Sequence, residues 1–148
     1  MKKVVTAARH GVAVEDWRGA VRAACGLLVD AGAAEPRYVE RCIAMVEELG
    51  PYMVVAPGVA LAHARPEDGA VALGISVATL REPVEFGHAE NDPVDVVFAF
   101  GSPDRDQHVG LLGALARRLT EGLADDLRKA PDDDAAARLM EEVAADVD

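Results

Sequence analysis

At 148 residues, 51% hydrophobic and 28% charged, the chain has enough apolar material for one globular domain, residues 1–148, and too much for a disordered one. Fifteen basic against 26 acidic side chains leave a net charge of −11, which repels nucleic-acid backbones and anionic lipid, and the three lysines, Lys2, Lys3 and Lys129, form no basic cluster. No apolar run approaches membrane-spanning length, and the start "MKKVVTAARHGVAVEDW" lacks a hydrophobic signal core, so a cytoplasmic protein is expected.

His10 falls in a polar N-terminal stretch and reads as solvated. Asp16 suits an N-cap, and Trp17, Val21, Cys25, Leu28 and Val29 then recur at helical spacing until Gly32. A second helix starts at Pro36, buries Val39, Cys42, Ile43, Val46 and Leu49, and ends at Gly50-Pro51. Cys25 and Cys42 show neither CxxC nor zinc spacing and read as buried thiols.

The period then changes. "YMVV" and "VALAH" read as short strands around a Pro57-Gly58 turn, and "AVALGISVAT" alternates with Val71, Leu73, Ile75 and Val77 on one face. "DPVDVVFAFG" is almost continuously apolar, as in a central strand covered on both sides. A helix from about Asp104 to Glu121, a short one over "LADDLRKA", and a last one after Asp132–Asp134 burying Leu139, Met140, Val143 and Val147 complete the chain. The order implies an α/β fold, a single domain whose mixed sheet lies between helical layers.

Phosphate-loop and dinucleotide glycine motifs are missing. "GISVA" falls short of a nucleophile elbow, because Ser76 sits inside an alternating strand and Ala78 replaces the second glycine. No spacing gathers His63, His88 and His108 as metal ligands, and no cofactor is called for. His88, in "FGHAENDP", reads as a surface loop residue that a neighbouring site could recruit.

"LAHARPEDG" runs an apolar segment straight into His63 before turning away. His108 heads a stripe of Leu111, Leu112, Leu115 and Leu119 near the start of a helix, where either a core histidine or a site histidine would fit. Strand C-termini and helix N-termini share one rim in α/β sheets, and helix N-termini favour anions. Two imidazoles there, with Arg65 and Arg105 near them in sequence, suit a phosphoryl group. A neutral imidazole with one nitrogen held and the other free is a competent phosphoryl acceptor.

The segments "APGVALAHARPEDGAVALG" and "PVEFGHAENDPVDVVFAFGSPDRDQHVGLLGALARRL" together resemble the enzyme IIA domains of the bacterial phosphotransferase system, in the mannitol/fructose superfamily and nearest its ascorbate-type branch. The resemblance implies a mixed sheet flanked by helices and a protein-histidine phosphotransferase. His63 would accept a phosphoryl group from HPr and pass it to a cysteine of an enzyme IIB partner, with an enzyme IIC permease coupling transfer to sugar uptake. His108 would be the second site histidine, with Arg65 and His88 in support. An alternative role is a stand-alone regulatory module reporting phosphorylation state. Two positions depart from the family pattern: Ala62 replaces the proline that commonly precedes the histidine, and Glu47 stands at the spacing of an upstream arginine of the mannitol branch. Apolar residues at the His63 rim, such as Val59 and Leu61, are expected to be partly exposed for docking.

Overall fold

The computed structural model describes residues 4–147; Lys2 and Lys3 therefore lie outside the described residues. It contains five strands, β1 (Val5–Val12), β2 (Val54–Ala56), β3 (Val59–Ala62), β4 (Gly74–Val84) and β5 (Val94–Gly101), and five α-helices. The helices are α1 (Trp17–Asp30), α2 (Pro36–Leu49), α3 (Arg105–Thr120), α4 (Leu123–Lys129) and α5 (Asp133–Ala145). The strands form one sheet in the order β1-β4-β5-β3-β2. β1 runs parallel to β4 and β3 parallel to β5, while the β4–β5 and β2–β3 pairs are antiparallel. The mixed sheet and its flanking helices agree with the sequence reading.

Period-two alternation sends successive side chains to opposite layers. Ala60, Ala62, Val97 and Ala99 pack with α1 and α2, whereas Leu61, Val96, Phe98 and Phe100 pack with α3, α4 and α5. β5 is thus covered on both faces, as its unbroken apolar run requires. Asp16, Asp104 and Asp132 cap α1, α3 and α5 by accepting from first-turn N–H groups, each contact stabilising its helix by about 1 kcal/mol. Ser76 is a buried strand residue whose hydroxyl donates to the Ala24 carbonyl, which leaves no nucleophile there.

Four details differ from the sequence reading. The polar start is an edge strand, β1, on which His10 is half-buried, with Nδ1 3.1 Å from the Thr79 hydroxyl and its N–H donating to the Asp133 carboxylate. Val71 is exposed because β4 starts only at Gly74 and runs on to Val84. Leu49 is exposed at the last residue of α2, and the inward face carries Tyr38 as well as Cys42, Ile43 and Val46. Val59 and Leu61 are buried beneath the α3 layer, not exposed at the rim.

Met140 is fully buried in that layer. Met140→Ala should lower unfolding stability by about 2–5 kcal/mol, measured by denaturant titration, through lost burial and the cavity left behind.

Candidate functional site

Parallel pairing of β3 with β5 brings their C-terminal ends to one rim of the sheet. His63 follows β3 directly, and the chain leaving β5 enters α3 within a few residues. Asp104 sets the start of that helix, its carboxylate accepting from Asp106 and Gln107 N–H at 2.7 and 3.3 Å. His108 then falls in the second turn, and the ring centroids of His63 and His108 lie 6.2 Å apart, edge to face. The two histidines singled out by sequence are brought together. The inward stripe below His108 consists of Leu111, Ala114 and Leu115; Leu112 is partly exposed instead.

Phe100, the penultimate residue of β5, organises both rings. Its own ring stacks on His63 at 5.1 Å and meets His108 edge to face at 4.6 Å. Tyr52, just before β2, closes another side of His63 at 5.7 Å. Aromatic surroundings desolvate the imidazole and favour its neutral form. The pKa of His63 is accordingly lowered by burial, against a smaller upward pull from its hydrogen bond to Leu61. That of His108 is lowered by burial and then by the charge of His63.

The His63 Nδ1 lies 3.1 Å from the Leu61 carbonyl oxygen. A carbonyl can only accept, so in the neutral ring Nδ1 carries the proton and donates it there. Nε2 is left with the lone pair. The neutral ring therefore presents an unprotonated Nε2, its tautomer set by the backbone of its own strand.

Around the two imidazoles lies an open cavity of about 370 Å³, with Arg65, Arg105, Met45 and Val109 in its lining. The lining carries no acidic residue, in a chain of net charge −11. Among the described residues, neither Arg65 nor Arg105 forms an ion pair. Two guanidinium groups without carboxylate partners beside a neutral imidazole suit a small, multiply charged anion. Glu47, at the spacing of the mannitol branch's arginine, is instead exposed and paired with Arg18 at 3.1 Å.

His88 is not part of this arrangement. Its loop joins the end of β4 to the start of β5, at the opposite end of the sheet from His63. The Asp92 carboxylate gathers the N–H groups of Phe86, Gly87 and His88. The His88 Nδ1 accepts from the N–H groups of Glu90 and Asn91, so the side chain closes its own turn. The structure does not bring His88 to the two histidines at the other end of the sheet.

Tyr38 was not singled out by sequence. It is fully buried, and its hydroxyl donates to the Phe100 carbonyl at 2.7 Å while accepting from the Ala64 N–H at 3.1 Å. Burial raises its pKa far above the ordinary phenol value, keeping the hydroxyl protonated. Among the described residues, no group of His, Cys, Asp and Glu is arranged to hold a metal ion, and no helix is long and apolar enough to cross a membrane.

Comparison with known proteins gives a consistent picture. Residues 6–143 match the family model "Phosphoenolpyruvate-dependent sugar phosphotransferase system, EIIA 2". The ascorbate-specific PTS system EIIA component of Escherichia coli K12 is 44% identical over 100 residues, covering 66% of this chain and 65% of that protein. The chain thus spans a little under two thirds of the length of the curated relatives it matches. The solution structure of the mannitol-specific cryptic phosphotransferase enzyme IIA from Escherichia coli superposes with a TM-score of 0.80, at 28% identity over 92% of each chain. A complex of mannitol enzyme IIA with phosphorylated enzyme IIB from Escherichia coli matches with a TM-score of 0.74 at 24% identity, over 89% of this chain and 92% of that one, a likeness of fold alone.

The lowered pKa values make a pH prediction. Below the ordinary histidine value of 6.5, the unfolded chain binds protons that folded His63 and His108 still refuse. Stability should therefore fall as pH drops below about 6.5, until the lowered midpoints are passed and the loss is complete. In an NMR titration, His63 should protonate with a midpoint below 6.5 and hold its proton on Nδ1 above it. A midpoint at or above 6.5 would contradict the desolvated site.

Proposed function

The chain belongs to the EIIA 2 family of the phosphoenolpyruvate-dependent sugar phosphotransferase system, and on that premise we propose that it is a phosphohistidine carrier with His63 as acceptor. The observation that carries this reading is the Nδ1 contact with the Leu61 carbonyl, which leaves Nε2 as the nucleophile. In the forward step the Nε2 lone pair attacks phosphorus of phosphorylated HPr, forming the new N–P bond as the donor's N–P bond breaks. In the second step a cysteine thiolate of enzyme IIB takes the phosphoryl group, and the imidazole returns to its neutral form.

Little covalent machinery is needed for such a transfer; positioning and charge stabilisation carry it. The phosphoryl group brings roughly two negative charges. Arg65 and Arg105 line the cavity that would receive it, whereas Glu47, at the spacing of the mannitol branch's arginine, is paired with Arg18 and is not in that lining. His108, in the second turn of α3, adds an imidazole donor near the positive end of a helix.

The donor and acceptor proteins would dock in turn on the rim. Exposed Tyr52, against the His63 ring, and Val109, in the lining of the cavity, supply apolar surface there, in place of the buried Val59 and Leu61. The solved mannitol complex, a protein of the same fold bound to phosphorylated enzyme IIB, is in keeping with this use of the fold. Strong net negative charge favours a basic face on HPr and would speed encounter more than it tightens binding. The proposal places the chain in the cytoplasm as a IIA domain over residues 1–148, with an enzyme IIC permease as an indirect partner.

Incubation with phosphoenolpyruvate, enzyme I and HPr should label the protein through an acid-labile bond, and His63→Ala should reduce labelling to background. His108→Ala should still accept phosphate but pass it to enzyme IIB about a hundredfold more slowly, the scale of one lost transition-state donor. Undiminished labelling of His63→Ala would overturn the assignment.

A further inference from the structure

The ladder between β3 and β5 stops at Ala62 opposite Ala99, although β5 continues to Gly101. In an uninterrupted parallel pair, the next N–H and C=O groups of the two strands would bond directly. Here the Tyr38 hydroxyl stands between them, accepting from Ala64 N–H and donating to Phe100 C=O. Both backbone groups remain satisfied, but the strands are held apart by the width of a phenol oxygen. The phenol comes from α2, in the layer opposite α3. Its hydroxyl thereby ties together the residue that follows His63 and the residue whose ring stacks on His63 and touches His108.

We propose that Tyr38 is a positioning residue for phosphoryl transfer: a wedge at the end of the β3–β5 ladder that holds the His63 ring between the Leu61 carbonyl and the Phe100 ring. The inference rests on the reading of His63 as the phosphoryl acceptor. Gly101 belongs to the device. A Cβ there would stand 3.2 Å from the phenol oxygen and 3.3 Å from its ring carbon, so a side chain at this position would press the phenol aside by a few tenths of an ångström. Burial keeps the hydroxyl protonated, so the bridge persists across the pH range in which the histidines titrate.

Without the hydroxyl, Ala64 N–H and Phe100 C=O can close on each other or stay unpaired. Either outcome moves the peptide after His63 and releases the ring from the Leu61 carbonyl. A displacement on the ångström scale is enough to slow a reaction that depends on in-line approach.

Tyr38→Phe deletes the oxygen and keeps the ring. In the folded variant, imidazole ¹⁵N shifts should report a mixture of His63 tautomers in place of the single Nδ1–H form. The His63 pH midpoint should fall further, because the upward pull of the Leu61 hydrogen bond is lost, and transfer from phosphorylated HPr should slow roughly tenfold or more. Met140→Ala, destabilised from the other layer, should keep the wild-type tautomer and transfer rate, which separates positioning from general loss of stability. A folded Tyr38→Phe protein with the wild-type tautomer and rate would overturn the proposal. If that variant does not fold, Gly101→Ala decides: it should disturb tautomer and rate in the same direction, and wild-type behaviour would overturn the wedge. Failure of the wild-type protein to accept phosphate would instead sink the reading of His63 as acceptor, while the tautomer readout still judges Tyr38.

Discussion

The hydrogen bond from His63 Nδ1 to the Leu61 carbonyl is the contact on which the proposed chemistry depends. An imidazole in water exchanges freely between two tautomers and a cation. Here a backbone oxygen two residues back selects one tautomer, and the aromatic surroundings disfavour the cation. The carbonyl can do this because the sheet holds it: Leu61 is buried and registered against Phe98 on the central strand. A histidine at the end of a buried strand, costly on its own, is made useful by the rigidity of that strand.

The rest of the site follows from the topology. Parallel β3 and β5 must end on the same rim, and the chain leaving β5 must turn back there as α3. That turn delivers His108, an Asp104-capped helix start and Arg105 to the ring of His63 with few intervening residues. None of the acidic side chains lines the cavity, so its wall is locally cationic in a strongly acidic molecule. Local sign governs an anion within contact distance, while net charge governs only the long-range approach of partners.

Much of this was legible in the residues. An apolar run ending in His63 marks a strand terminus, and an aspartate shortly before His108 marks a helix start; the rule that these ends share a rim links the two. The full apolar character of Val94–Gly101 likewise foretells its place at the centre of the sheet. What stayed hidden depends on long-range packing. β1 mixes alanines with Arg9 and His10 on a half-buried edge and shows no clean alternation. His88 reads as a loop residue open to recruitment by a site, whereas its Nδ1 is spent on closing a turn at the far end. Tyr38 lies one position before Val39, the residue an aliphatic helical pattern selects, and its importance comes from two backbone groups 26 and 62 positions away. Pattern alone cannot show that a strand pair needs a phenol between its ends.

The central claim is that the Leu61 carbonyl leaves Nε2 of His63 as the reacting atom. A nitrogen–phosphorus correlation spectrum of the phosphorylated, ¹⁵N-labelled protein tests it directly. The account predicts that phosphorus couples to Nε2 of His63 while Nδ1 retains its proton. Phosphorus on Nδ1, or on His108, would contradict it.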